Sequence, residues 1–264
     1  MNMLQAILLG VLQGVSEFIP ISSSGHLVVA RHLMGLGEIP VLFDVILHIA
    51  TLIVIVIVFR ERITRIVISL LRWVTRRADQ SDATDLRLAL LVAIATLLTA
   101  AIGLGIAELN LARFPKLVSG LFIVTGGILV ISRYLDGHLT YDQLGTRHAL
   151  ITGVAQGLAV LPGISRSGIT ITAALASGID RSRAGEFSFL ISVPAVLGAL
   201  VLTLRDLGEL RGVVGIPELA AGFVASLVVG AVSLLLLLQL IRGGKLYLFA
   251  FYLVPLGIAG LVFF

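Results

Sequence analysis

The sequence predicts an all-α integral membrane protein: about six transmembrane helices plus two re-entrant helix hairpins, arranged as an inverted-topology repeat. Three observations lead there. First, the 264 residues are 58% hydrophobic and only 13% charged, with a mean hydropathy of +1.10, whereas a soluble domain carries about 25% charged residues. That leaves too little polar surface to cover a water-exposed globule, so the solvent is mostly lipid. Second, several apolar runs have the ~20-residue length that crosses a bilayer core of ~30 Å. Third, two shorter apolar runs break at closely similar Pro, Gly and Ser signals. The net charge of +4 comes from basic residues in short connections, which excludes a nucleic-acid surface. Cysteine is absent, so neither disulfides nor thiolate metal sites are available. No basic region precedes the first apolar run, and a cleaved signal peptide is not expected.

In chain order, residues 4–19 are apolar and stop at Pro20, followed by Ser22-Ser23-Ser24-Gly25. Residues 41–59 form a crossing, although it carries Asp44 and His48. Residues 88–107 cross without a single charge, and 117–132 form a shorter, Gly-rich crossing. Residues 149–161 stop at Pro162-Gly163, followed by Ser165-Arg166-Ser167-Gly168. Crossings at 187–204, 219–241 and 246–264 complete the six. At ~1.5 Å per residue, half-helices like those before each break do not span ~30 Å. Broken backbone at membrane depth is tolerated where protein buries it or where it lines a wet cavity. Both segments therefore read as re-entrant hairpins.

A repeat links them. Shifting the first hairpin by 143 positions places Gly10, Val11, Gln13 and Gly14 on Gly153, Val154, Gln156 and Gly157. The same shift places Ile21, Ser22, Ser24 and Gly25 on Ile164, Ser165, Ser167 and Gly168. Paired broken helices in corresponding halves point to inverted repeats with a site at their midplane interface. The chain then forms one polytopic domain, with halves at roughly 1–132 and 148–264. Gly10 and Gly14 are read as close helix contacts. Basic residues mark the cytoplasmic side. With both hairpins re-entrant, segments 60–87, 133–147, 178–185 and 242–245 share one side and hold thirteen Lys and Arg, against five in 20–40, 108–116 and 205–215. The first hairpin then opens outward and the second enters from the cytoplasm.

Ionisable residues at membrane depth are functional candidates by default. The first hairpin offers Gln13, Glu17, three serines and His26; the second offers Ser165, Arg166, Ser167 and Thr170. Gln13 and Glu17 are four apart and share a helix face. Arg166 is suited to clamp phosphate oxygens bidentately, and helix starts after each break present free backbone N–H groups to an anion. A serine becomes a nucleophile when a histidine takes its proton, and Ser23 lies three residues before His26. Gln13 and Glu17 are candidates to hold a hard divalent cation together with a diphosphate. Serines ahead of a helix also serve as N-caps, so Ser22 and Ser24 read either way. Asp44 and His48 are read as supporting residues or as lying near the membrane interface.

At these residues the chain resembles the undecaprenyl-diphosphatase family, the bacitracin-resistance proteins, over essentially its whole length. The carrying signatures are Gln13-Gly-Val-Ser-Glu17-Phe-Ile-Pro20-Ile-Ser-Ser23-Ser-Gly-His26 and Pro162-Gly-Ile-Ser165-Arg166-Ser167-Gly-Ile-Thr170, with a weaker third at Glu186-Phe-Ser-Phe-Leu-Ile-Ser-Val-Pro194. The resemblance implies an enzyme of the bacterial inner membrane with its site facing the periplasmic side. It would hydrolyse the terminal phosphate of undecaprenyl diphosphate to recycle the cell-wall lipid carrier, with Mg²⁺ or Ca²⁺ in support and bacitracin competing for the substrate. It also implies Glu17, Ser23, His26 and Arg166 as catalytic, with Gln13, Ser165, Ser167 and Thr170 binding substrate. Gln13 stands where many relatives carry Glu, and a neutral amide brings no charge to a metal. Sequence does not give the assembly state; a homodimer is carried as the expectation.

Two other classes share features with this sequence. The lipid phosphatases with a histidine nucleophile need a histidine shortly after Ser165-Arg166 and an upstream Arg-Pro. Neither is present, since no His occurs from Ser167 to Arg205 and no Arg-Pro occurs anywhere. A transporter or lipid flippase shares the broken-helix repeat architecture and is separated from a phosphatase by phosphate release.

Overall fold

The first helix begins where Asn2 and Gln5 form a reciprocal capping box, closing orphan N–H groups at the helix start. In this computed structural model, which describes residues 1–34, 36, 41–109, 111–203 and 215–263, α1 (Met3–Phe18) ends just before Pro20. Ala6, Leu9, Gly10, Gln13, Gly14 and Glu17 form its buried stripe. Helix α2 (Ser23–Leu33) follows the break, and α3 (Val41–Val58) and α4 (Arg60–Val74) meet at an 81° bend. The first half continues with α5 (Ala83–Ala107) and α6 (Pro115–Ser132). The second half holds α7 (Thr146–Leu158), α8 (Arg166–Ala176), α9 (Arg181–Thr203), α10 (Ile216–Arg242) and α11 (Ala250–Phe263).

Among the described residues, five helical segments are long and apolar enough to cross a membrane: Gln80–Ala107, Pro115–Ser132, Arg181–Val201, Ile216–Arg242 and Leu246–Phe263. A sixth is reached when the bent pair α3 and α4 counts as one span. The protein is thus an all-α, multi-pass membrane protein. The ends of the expected crossings at Leu204 and Phe264 lie outside the described residues, as do 205–214 and parts of the 20–40 and 108–116 connections. The expected basic connection at 60–87 is largely helical, because α4 places Val67, Leu70, Leu71 and Val74 on one face.

Glycines let the half-helices approach long neighbours. A Cβ on Gly10 would sit 2.2 Å from the Gly222 carbonyl oxygen of α10, and one on Gly14 would sit 2.8 Å from the Ser226 carbonyl oxygen. In α7, a Cβ on Gly153 would meet Ala95 of α5 at 2.9 Å, and one on Gly157 would meet Ile102 at 2.7 Å. Gly10→Ala forces backbone apart, and overpacking of this kind costs about 1–3 kcal/mol. A lowered Tm in detergent is expected, while Gly120→Ala, with nothing within 4 Å, leaves Tm unchanged or raises it. Equal Tm for both variants would contradict the tight crossing.

Between the hairpins lies a core of Phe18, Leu129, Ile171, Phe187 and Phe189. The rings of Phe18 and Phe189 meet edge-on at 5.8 Å, and Phe59 stacks on Phe189 at 6.0 Å. At the basic end, Arg62 bonds Glu186 of α9 at 2.8 Å and Asp85 of α5 at 3.1 Å, and lies over the Tyr141 ring. Burial, with Glu186 nearby, pushes the Tyr141 phenol up, so the ring beneath Arg62 stays neutral.

Candidate active site

The two chain breaks face each other. In the first, Ser22 takes a left-handed backbone, φ 73°, which costs a non-glycine residue energy and persists only where its surroundings hold it. In the second, Gly163 has φ +103°, and a Cβ there would strike the Val118 carbonyl oxygen at 2.5 Å. Thr125 of α6 braces this turn, donating to the Gly163 carbonyl at 2.9 Å and accepting from the Ser165 N–H at 3.2 Å. The Ser165 hydroxyl caps α8 by accepting from the Gly168 N–H.

Glu17 is the hub where the hairpins join. It is 8% exposed, and an isolated carboxylate so buried is costly unless paired and hydrogen-bonded. Arg166 bonds Oε1, crossing from the second hairpin to the first. Ser23 donates to Oε2 at 3.0 Å and Gln13 Nε2 donates to Oε2 at 3.1 Å. Gln13 and Glu17 thus share a helix face as their spacing predicts. His48 Nε2 of α3 stands 3.5 Å from Oε2, while its Nδ1 is 2.7 Å from the Asp44 carbonyl oxygen.

A cavity of about 280 Å³ opens at this junction, lined by Glu17, Ser22, Ser23, His48, Ser165 and Arg166 among others. A cavity of this size and lining suits a polar headgroup. Among the described residues, three cavity-lining side chains have an atom buried without a hydrogen-bond partner: Arg166 Nη1, Ser22 Oγ and Gln156 Oε1. Leaving such groups unsatisfied costs about 1–3 kcal/mol each, more when charged. An arginine donor and a hydroxyl together complement an anion.

Other expected site residues fall elsewhere. Ser167 donates to the Phe18 carbonyl at 2.9 Å and so ties the two hairpins together, while Thr170 bonds the Arg166 carbonyl oxygen of its own helix and Ser188 of α9; neither lines the cavity. His26 does not meet Ser23. Its Nδ1 is 2.8 Å from the Ser22 carbonyl oxygen and its Nε2 is 2.8 Å from the Tyr252 hydroxyl, with the ring between Phe122 and Tyr252. With the proton on Nδ1, Nε2 accepts from Tyr252. Among the described residues, no group of three His, Asp or Glu converges as a metal site. Gln13 turns its amide nitrogen toward Glu17 Oε2.

The sequence model of the family described as bacitracin resistance protein BacA matches residues 6–259. This chain belongs to the BacA family. Relatives named undecaprenyl-diphosphatase are 42% identical in Treponema denticola, covering 100% of this chain and 98% of the relative, and 40% identical in Desulfosudis oleivorans, covering 97% of each. One from Borrelia recurrentis is 37% identical over 100% of this chain and 98% of its own length.

Sequence reasoning left His48 as a supporting or interfacial residue and did not identify Thr99, Gln156 and Ser192, which also line this BacA-family cavity. The signal for Gln156 was available, since the repeat pairs it with Gln13. His48→Ala removes a polar neighbour of Glu17 and is expected to lower turnover about tenfold, the ~1.4 kcal/mol scale of one charge-assisted contact. His48→Gln, which keeps a donor, should recover much of it. Unchanged turnover in His48→Ala would remove His48 from the site.

Proposed function

We propose that this BacA-family protein hydrolyses the terminal phosphate of undecaprenyl diphosphate, yielding undecaprenyl phosphate and inorganic phosphate. The observation that carries the reading is a headgroup-sized cavity lined by Arg166, Ser22, Ser23 and Glu17, with Arg166 Nη1 and Ser22 Oγ buried there without a hydrogen-bond partner. The relatives' shared name supports the choice of lipid.

The prenyl tail stays in lipid and the diphosphate enters the cavity. Arg166 Nη1, Ser22 and the N–H groups at the start of α8 offset its charge, strengthened by the low dielectric of a dry site. Ser23 Oγ attacks the terminal phosphorus, or orients a water that does. A new P–O bond forms, the anhydride P–O bond breaks, and polyprenyl phosphate leaves. In the serine route, water then hydrolyses the phosphoserine. The hydrogen bond from Ser23 to Glu17 Oε2 supports Glu17 as the group that takes the nucleophile's proton. The engagement of His26 by Ser22 and Tyr252 supports a role for it in holding the first break in shape.

A divalent cation, Mg²⁺ or Ca²⁺, belongs to this proposal as a partner of the substrate diphosphate, with Glu17 as its protein contact. Glu17→Gln is expected to cut turnover sharply. A shifted cation midpoint would mark Glu17 as a ligand; an unchanged midpoint would mark it as the base.

The inverted repeat is supported by glycine pairs at the same 143-residue offset. Gly10 and Gly14 pack α1 on α10, while Gly153 and Gly157 pack α7 on α5. Basic connections on one side support a site opening to the periplasmic face of the inner membrane. Bacitracin as competitor for the lipid and assembly as a homodimer complete the proposal.

Headgroup selectivity tests it. The purified protein should consume undecaprenyl diphosphate and leave undecaprenyl monophosphate untouched. Equal consumption of both would contradict a cavity fitted to a diphosphate.

A further inference from the structure

Helix α4 has a composition unlike the crossings. Its 15 residues span ~22 Å at ~1.5 Å per residue, short of the ~30 Å bilayer core. It leaves α3 at 81°, so with α3 crossing the membrane, α4 runs nearly in the membrane plane. Both ends are pinned to the bundle. Arg62 bonds Glu186 and Asp85 near its start. Near its end, Ser69 donates to Asp82 at 2.7 Å and Arg72 to the same carboxylate at 3.3 Å.

The pinned face leaves another uncovered. Val67, Leu70, Leu71 and Val74 are exposed at i, i+3, i+4 and i+7, with Leu71 at 60% and Val74 at 69%. Trp73 beside them is 63% exposed. Exposed cations accompany this strip: Arg60 at the helix start, Arg65 on the face away from the strip, and Arg76 and Arg77 just past the helix end; Glu61 is the acidic residue on the helix. Among the described residues, none of those four arginines has a carboxylate partner within ion-pair distance. An apolar strip together with cations and a tryptophan suits a helix lying at the headgroup level.

We propose that α4 is an interfacial helix that immerses its apolar strip in the leaflet on the basic side of the protein and binds anionic phospholipid headgroups through Arg65, Arg76 and Arg77. The occupant is the lipid surface, chosen by charge complementarity. A helix in this position turns its apolar strip to the acyl chains and its cations to the level of the phosphate groups, and juxtamembrane cations attract anionic lipid.

Trp73 makes the test direct, because it is the one tryptophan in the sequence. The full-length protein is placed in nanodiscs of phosphatidylcholine with or without phosphatidylglycerol. Tryptophan emission is then read against aqueous acrylamide and against lipids spin-labelled near the carbonyl or near the chain end. The shallow label should quench Trp73 most, acrylamide should quench it weakly, and phosphatidylglycerol should increase the shallow quenching. The variant R65Q/R76Q/R77Q should lose that increase while keeping the quenching seen in phosphatidylcholine. Should the variant fail to fold, the native protein compared in the two lipids still decides. Strong acrylamide quenching without lipid quenching would overturn the proposal. So would stronger quenching by the deep label, which makes α4 part of a broken crossing. Shielding from all three quenchers marks a second copy as the occupant. An unchanged phosphatidylglycerol effect in the variant removes the arginines.

Discussion

Replacing Arg166 with alanine is expected to lower turnover by about 10²–10³, the ~2.7–4 kcal/mol that one preorganised donor typically contributes in a low-dielectric site. Two losses combine. The buried, unpartnered Nη1 of this cavity-lining residue disappears, and Glu17, held by the other nitrogen, becomes a buried carboxylate without its cation. Removing one partner of such a pair is costly to the one left behind, so the Tm of the variant should fall as well. Lysine should restore the charge near Glu17 and recover part of the Tm, yet recover turnover poorly, because an ammonium has no planar fork to serve a carboxylate and a phosphate at once. Steady-state phosphate release from both variants, alongside their Tm, measures this. Near-normal turnover in Arg166→Ala would remove Arg166 from the chemistry.

The second large effect is expected at Ser23. Its hydroxyl is 3.0 Å from Glu17 Oε2, already directed to a proton acceptor, and it stands at the first residue of α2, where free N–H groups favour an anion. Ser23→Ala should lose more than the ~10²–10⁴ that base catalysis alone contributes. Rapid quenching of the native protein with terminally labelled diphosphate should trap label on the peptide containing Ser23. Loss of rate without label leaves direct water attack, with Ser23 orienting the water. Label on a peptide holding Ser165 moves the nucleophile to the second hairpin. A Ser23→Ala variant that keeps more than about a tenth of its rate and an unlabelled native protein would sink the covalent route, since a nucleophile's loss exceeds tenfold.

Much of this was legible in the sequence because local chemistry decides it. Pro20 and Pro162-Gly163 stop helices whatever surrounds them, and the i, i+4 spacing of Gln13 and Glu17 fixes their shared face. Gly10 and Gly14 announce close packing because nothing else fits between two backbones. What stayed hidden depends on how helices rotate against one another. His48 sits in a long apolar run, and only the packing of α3 on α1 turns it toward Glu17. Ser167 and Thr170 look like ligands in the motif, yet packing of α8 on the first hairpin and on α9 uses their hydroxyls on Phe18 and Ser188. Tyr252 is 226 positions from His26, beyond any local pattern. Helix α4 was hidden among its own arginines, which read as a charged connection until the apolar residues between them are placed on one face.

Hydrolysis at the cavity where the two hairpins meet, as proposed, is distinguished from passage of lipid across the membrane by the release of phosphate. The most direct measurement follows purified protein in nanodiscs with undecaprenyl diphosphate, counting inorganic phosphate and undecaprenyl phosphate over time. One phosphate should appear for each undecaprenyl phosphate formed, and both should stop in Arg166→Ala. Lipid translocation in vesicles without phosphate release, or release of diphosphate in place of phosphate, would contradict the assignment.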